Sequence, residues 1–272
     1  MKIFVASDLH SFYTAFKKEL DKKGFEANNP EHLLVICGDV FDRGPESKEI
    51  YEYLNNLTNV VLIKGNHEEL MEAVWERGHC EHHDIKNGTL RTINDLFYAE
   101  ADFELHDAVK LSEKILRPFF DKFVNYFETK NYIFIHGWIP CETFDGADKP
   151  WYLQKRKLEY RPDWRNSNDV EWSGARWING INAGYINNII EPGKTIICGH
   201  WHCSYGHYFK SSKKALKNDT PVEHEEFGDT AIWRPFKAKG IMAIDRCTAH
   251  TGKVNVVVLE DDLLDASVCR NT

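Results

Sequence analysis

Five times along the chain, an apolar run of strand length ends in side chains that can bind a metal. Ile3-Phe4-Val5-Ala6 leads to Asp8 and His10, and Leu33-Leu34-Val35-Ile36-Cys37 leads to Asp39. Val60-Val61-Leu62-Ile63 leads to Asn66 and His67, Tyr132-Ile133-Phe134-Ile135 to His136, and Thr195-Ile196-Ile197-Cys198 to His200. Continuous apolar runs suit strands buried on both faces. In open α/β sheets, ligands bind beyond the carboxyl ends of the strands. The pattern therefore predicts an α/β fold in which five strand ends present polar residues to one cleft.

The intervening segments fit crossovers. Residues 13–23 have helical spacing and stop at Gly24, residues 47–54 follow Pro45, and residues 68–77 read as a helix that starts beside Asn66-His67. Residues 78–89 are polar, and residues 90–128 read as mixed and helical with a break near Pro118. Residues 141–192 are irregular and Trp-rich, and residues 205–239 form a second polar insertion. Residues 240–245 and 253–260 read as two strands joined by a turn at Thr251-Gly252. With no repeat, low-complexity tract or linker, one domain over residues 1–272 is expected, carrying insertions near 78–128 and 203–239.

Composition narrows the function classes. A formal net charge of -8 makes duplex nucleic acid an unfavourable partner, since that binding rests on many Lys and Arg contacts to phosphates. It leaves room for a small anion, because the local field of a metal site can outweigh net charge. The apolar run after Met1-Lys2 is too short for a secretion signal, and no stretch approaches a membrane span. Seven scattered cysteines without a Cys-x-x-Cys pair suit a reducing compartment, so a cytoplasmic location is expected.

The motifs carry the chemistry jointly rather than singly. Asp8-Leu9-His10 puts two ligand types at a strand end, although an Asp near a His is common on any surface. In Gly38-Asp39-Val40-Phe41-Asp42-Arg43-Gly44, glycines let the chain turn around Asp39, whose carboxylate has two oxygens to bridge two ions, while Arg43 offers a planar fork for phosphate. The plain alternative is a turn with a neighbouring Asp–Arg pair. In Gly65-Asn66-His67-Glu68, Asn66 can give an amide oxygen or cap a helix, and His67 can exchange a proton near neutral pH. His136-Gly137 and Gly199-His200-Trp201-His202 each follow an apolar run, where a single His is more often a satisfied core residue. Five such ends in one chain supply two complete N/O sites, and the joint context decides for a binuclear centre.

This motif set resembles the calcineurin-like metallophosphoesterases, closest to the bacterial and phage branch of the phosphoprotein phosphatases. The resemblance implies two packed mixed β-sheets flanked by helices. It implies that Asp8, His10 and Asp39 hold a first metal and that Asp39, Asn66, His136 and His200 hold a second. His67 would be the general acid, oriented by Asp42, with Arg43 gripping phosphate and Arg176 as a second, more loosely matched phosphate arginine. Two positions depart from the protein phosphatases. Trp138 stands where a second glycine is usual, and His202 is a second histidine that completes the first metal site elsewhere in the superfamily. His202 is therefore an expected ligand and loosens a strict protein-phosphatase label.

The implied cofactors are two divalent ions, manganese first, with iron or zinc as alternatives, since the ligands are oxygen and imidazole without thiolate. The implied partner is a phosphorylated substrate, either a phosphoprotein or a nucleotide. A serine/threonine-type phosphomonoesterase leads, ahead of a dinucleoside polyphosphate hydrolase and a phosphodiesterase; a silent binding scaffold is opposed by the intact ligand set. His79, His82 and His83 read as a solvated loop. Trp151, Trp164, Trp172 and Trp177 read as loop-packing core, with a groove wall near the site as the alternative.

Overall fold

The computed structural model describes residues 1–97, 105–145, 155–218, 223–262 and 267–269. The chain opens with three strand–helix units: β1 (Lys2–Ala6) and α1 (Tyr13–Lys22), β2 (His32–Cys37) and α2 (Ser47–Asn55), β3 (Val60–Ile63) and α3 (Asn66–Arg77). Three helices follow, α4 (His82–Asn87), α5 (Thr89–Phe97) and α6 (Leu105–Phe120), then the short strands β4 (Phe123–Val124), β5 (Tyr126–Glu128) and β6 (Tyr132–Phe134). A hairpin of β7 (Glu142–Asp145) and β8 (Lys155–Leu158) precedes α7 (Asp169–Arg176), β9 (Thr195–Cys198) and α8 (Cys203–Asn218). The last described elements are β10 (Phe236–Ala238), β11 (Ile241–Ala243), α9 (Thr248–Thr251), β12 (Val257–Glu260) and β13 (Ser267–Cys269).

Two mixed sheets result. The first has the order β12-β1-β2-β3-β4, parallel except for β12. The second has the order β10-β11-β9-β6-β5-β13, with β9 parallel to both β6 and β11. Strand side chains alternate between faces. On β1, Ile3 and Val5 face the second sheet, where they join Phe127, Phe134 and Ile197, while Phe4 and Ala6 face Phe16, Leu20 and Trp75 of the helical layer. The outer face of the second sheet packs Ile133, Ile196 and Ile241 against Trp138, Trp164 and Trp172. The order is thus helices, sheet, sheet, and a Trp-rich layer of loops and short helices, as the resemblance implies.

Three expectations are corrected here. The stretch read as helical through residue 128 ends at Phe120, two residues beyond Pro118. Phe123 and Val124 instead pair with Leu62 and Ile63, because burial on a sheet edge outweighs local propensity. The two late strands do not form a hairpin: β11 lies in the second sheet and β12 in the first, with α9 between them. Finally, residues 78–89 are not an open polar loop, since Gly78 and Gly88 end helices in the left-handed region, where a glycine carries no steric penalty. Of the four tryptophans assigned to packing, Trp164 and Trp172 are buried, Trp177 is exposed, and Trp151 lies outside the described residues. Among the described residues, no helix is long and apolar enough to cross a membrane.

Candidate metal centre

The five strand ends converge where the two sheets meet. Asp8 and His10 follow β1, Asp39 follows β2, Asn66 and His67 begin α3 after β3, and His136 and His200 follow β6 and β9. The sheets are tied together by these residues themselves. His136 Nδ1 lies 2.9 Å from the Cys37 carbonyl, and the His200 amide donates to both oxygens of Asp8, at 3.1 and 3.0 Å. Backbone strain gathers at the same place. Of the nine non-glycine residues with positive φ among the described residues, six are Asp8, His10, Asp39, Asp42, Arg43 and His200. Such conformations cost of order 1–3 kcal/mol each and persist where the surroundings enforce them.

Two groups of ligand-type atoms share Asp39. Its Oδ2 lies 3.7 Å from His10 Nε2 and 3.9 Å from His67 Nε2, while its Oδ1 lies 3.3 Å from His136 Nε2. His10, Asp39 and His67 form one cluster, and Asp39, His136 and His200 the other. Asn66 Oδ1 sits 2.8 Å from His136 Nε2. With Nδ1 of His136 donating to the Cys37 carbonyl, its Nε2 carries a lone pair that faces two further acceptors, Asn66 Oδ1 and Asp39 Oδ1. Three acceptors turned on one another is an arrangement that a cation relieves. His10 is oriented in the same way, with Nδ1 on the Phe41 carbonyl at 3.0 Å and Nε2 toward Asp39, although there Arg43 supplies a donor. The oxygen and imidazole donors fit a hard or borderline divalent ion.

Charges follow from burial and neighbours. Burial, with the Asp245 and Asp39 charges, pushes the Asp8 carboxyl well up. Burial also acts on Asp39, but the His136, His67, His10 and His200 imidazoles outweigh it and hold that carboxyl low. Burial lowers His10 and His136, and takes His200 to about 3. Burial opposes charge on His67 as well, yet the Asp39 and Asp42 carboxylates raise it above the ordinary imidazole value.

The His67–Asp42 pair is tightly held. His67 Nδ1 is 2.7 Å from Asp42 Oδ2, which also accepts the Thr89 hydroxyl at 2.9 Å, while Asp42 Oδ1 accepts the Thr92 hydroxyl at 2.9 Å. Arg43 spans the first cluster, with Nη1 at 3.1 Å from His10 Nε2 and Nη2 at 3.0 Å from His67 Nε2. Glu68, buried and raised to about 7 by burial and then by the Asp39 charge, accepts from the backbone amides of Asp39, Val40 and Gly65 and so holds the Asp39 turn.

Three residues stand differently from expectation. Asp8 lines the cleft and accepts the His200 amide, but it is in neither cluster among the described residues, whereas His67 is in the first. His202 lines the cleft, but its Nε2 pairs with Glu226 Oε1 at 2.9 Å, and it belongs to neither cluster among the described residues. The Glu226 carboxylate, brought by the second insertion, draws the imidazole outward. Arg176 is buried, and its guanidinium bonds Glu69 and Asn125 behind the cleft, so its fork is occupied and does not line the phosphate space. Trp138 is plain core, its indole donating to the Ile189 carbonyl.

The sequence of motifs and the shared Asp39 point to one family, and the sequence model of the calcineurin-like phosphoesterases matches residues 1–232. The chain is a calcineurin-like phosphoesterase. Members of this family hydrolyse phosphate esters with divalent metals. Among curated relatives, the symmetrical bis(5'-nucleosyl)-tetraphosphatase of Buchnera aphidicola (subsp. Acyrthosiphon pisum, strain Tuc7) is 33% identical over 103 residues, 38% of this chain and 34% of that one. Serine/threonine-protein phosphatase 2 of Escherichia coli K12 is 32% identical over 109 residues, 40% of this chain and 46% of that one. The chain thus matches between a third and a half of the length of these two relatives. A cold-active protein tyrosine phosphatase shares the fold, with a TM-score of 0.55 at 15% identity over 95% of this chain and 75% of that one.

Several residues at or behind the cleft carried little or no usable signal in the sequence. Asp245, Thr89, Thr92 and Asn87 stand outside the ligand motifs, and only folding brings them to the cleft or behind it. Asp245 had a weak signal, an acidic residue at the end of an apolar strand.

Proposed function

We propose that this phosphoesterase removes a terminal phosphate from a monoester at a two-metal centre. The observation that carries the reading is the placement of Asp39, with one oxygen toward each cluster of imidazoles. Asp8, His10 and Asp39 would hold one ion, and Asp39, Asn66, His136 and His200 the other; manganese is the proposed ion. Bound there, the ions would supply Lewis acidity and a water of lowered pKa. Arg43 offers two N–H groups on one edge to a phosphate's oxygens, releasing His10 and His67 as it does so. His67, whose imidazole Asp39 and Asp42 raise above its ordinary value against the effect of burial, would carry a proton on Nε2 once Arg43 has turned to the phosphate and would donate it to the leaving oxygen. Asp42, 2.7 Å from Nδ1, would fix the ring. The free, scattered cysteines suit a cytoplasmic enzyme.

The test is Asp39→Asn. The variant should lose nearly all turnover of a phosphoserine peptide and bind fewer than two metals by elemental analysis. Near-normal turnover with two ions retained would remove the binuclear assignment. A nucleotide polyphosphate is the second substrate reading, favoured by the exposed aromatic wall of the cleft.

A further inference from the structure

We propose that the Trp177 indole is a stacking platform for the base of a nucleotide whose phosphate enters the metal centre. The inference rests on the phosphoester reading of the cleft and names the substrate class. Trp177 is 48% exposed, whereas Trp138, Trp164 and Trp172 of the same layer are at most 2% exposed. Isolated exposed apolar residues are ordinary, so the argument lies in where this one stands. Trp177 follows α7 directly and lines the same cleft as Asp8, His10, Asp39 and Arg43. Its carbonyl takes a ring N–H of His200, so its backbone is tied to a residue of the second cluster while its side chain stays open. Trp201 lines the cleft on another side of the same imidazole, with ring centroids 6.0 Å apart.

The cleft is therefore two-ended. Arg43 and His67 make an anion end, and the two indoles make an aromatic end. A ligand that fits both joins a phosphate to a planar ring. The spacing selects which ring. In an aryl phosphate the ring is attached to the ester oxygen itself, inside the centre. In a nucleotide a ribose stands between phosphate and base. The Trp177 ring touches the His200 imidazole, 5.9 Å centroid to centroid and nearly perpendicular to it. It thus contacts a ligand-type ring rather than Asp39 itself, a place suited to a base set off from the phosphate by a ribose. A phosphoserine side chain brings no ring to that place.

Stacking a base on an aromatic side chain changes affinity by roughly five- to a hundredfold. The experiment compares AMP with ribose 5-phosphate, which lacks only the base, on the manganese-loaded chain. The wild type should show a KM for AMP at least about fivefold below that for ribose 5-phosphate. Trp177→Ala should raise the AMP value by about tenfold more than the ribose 5-phosphate value, and Trp177→Phe, which keeps a ring, should retain most of the preference. A second readout needs no turnover. In the metal-free chain, AMP should quench tryptophan emission more than ribose 5-phosphate does, and that excess should vanish in Trp177→Phe. Equal KM values for the two esters in the wild type, or equal losses on both in Trp177→Ala, would overturn the proposal. So would a Trp177→Ala effect confined to nitrophenyl phosphate, which would mark a subsite for a directly attached ring. If the loaded chain hydrolyses none of the three esters, the hydrolytic reading fails, while the quenching comparison still decides the stacking.

Discussion

At the scale of single residues, His67 is the group on which the proposed chemistry turns. Its Nδ1 is held by Asp42 at 2.7 Å, and its Nε2 faces the cleft beside Arg43. An acid matters in proportion to how badly the leaving oxygen needs a proton. The alkoxide of phosphoserine leaves poorly, whereas nitrophenolate leaves without help. General acid catalysis contributes ~10²–10⁴-fold, so His67→Asn should lose most of that on alkyl esters and far less on nitrophenyl esters. Metal analysis of the same variant addresses the other role open to this ring, since His67 lies in one of the two ligand clusters. Two ions retained, with the loss confined to alkyl esters, supports the acid. One ion lost, with equal damage on both esters, would make His67 a ligand.

At the scale of elements, α5 does more than decorate the fold. Its first turn supplies Thr89 and Thr92, whose hydroxyls donate to the two oxygens of Asp42, and the Asp42 amide donates to Thr92 Oγ1 at 3.0 Å. Gly88 before it has φ +99, and a side chain there would run into the Arg43 backbone. The helix is thus the support of the Asp42–His67 pair. Thr92→Val keeps the shape and removes the hydroxyl, leaving Asp42 one donor short and its amide without that acceptor. An unsatisfied buried group costs about 1–3 kcal/mol, so a fall in midpoint on denaturant unfolding of that size is expected. The alkyl-ester rate should fall about tenfold, in the same sense as, and less than, in His67→Asn. Unchanged rates on alkyl esters would show that Asp42 keeps its orientation without α5.

At the scale of the whole molecule, the centre is where the sandwich stores its unfavourable charge. Asp8, Asp39, Glu68 and Asp245 are all buried around one cleft. Burial and neighbouring carboxylates push Glu68 and Asp245 to about 7 and Asp8 well upward. A carboxyl raised in the folded state binds more protons there than in the unfolded chain. Its contribution is full below the unfolded value near 4 and is lost as pH rises through the folded value. The lowered His10, His136 and His200 act in the opposite sense up to the unfolded imidazole value near 6.5, so the metal-free chain should melt at progressively lower temperature between about pH 7 and pH 8. Divalent ions neutralise the same carboxylates. At a hundredfold excess over Kd, binding adds about 2.7 kcal/mol, or roughly 5–10 °C for a chain of this size. Manganese should raise the melting temperature more at pH 8 than at pH 5, as read by scanning calorimetry. An equal shift at both values, or none, would separate these carboxylates from metal binding.

Local order was written in the sequence. The apolar runs dictated the strands, because continuous Val, Ile and Leu can be buried only between layers, and a ligand-type residue after each run dictated which ends would form the cleft. Asp39, with Gly38 before it, was readable as a candidate bridge because its carboxylate has two oxygens, and the family resemblance implied its place between both ions. What the sequence could not decide was how side chains far apart in the chain would spend their polar atoms. Arg176 and His202 had fitting neighbours in sequence, yet Glu69 and Asn125 claim the first and Glu226 the second. Thr92 reaches Asp42 across fifty residues. Phe123 and Val124 left a helical stretch for the sheet edge. Trp177, grouped with the core tryptophans by composition alone, came to lie open at the mouth of the cleft. Hydrogen-bond partners and exposure depend on what packs alongside, and only the tertiary structure brings those neighbours together.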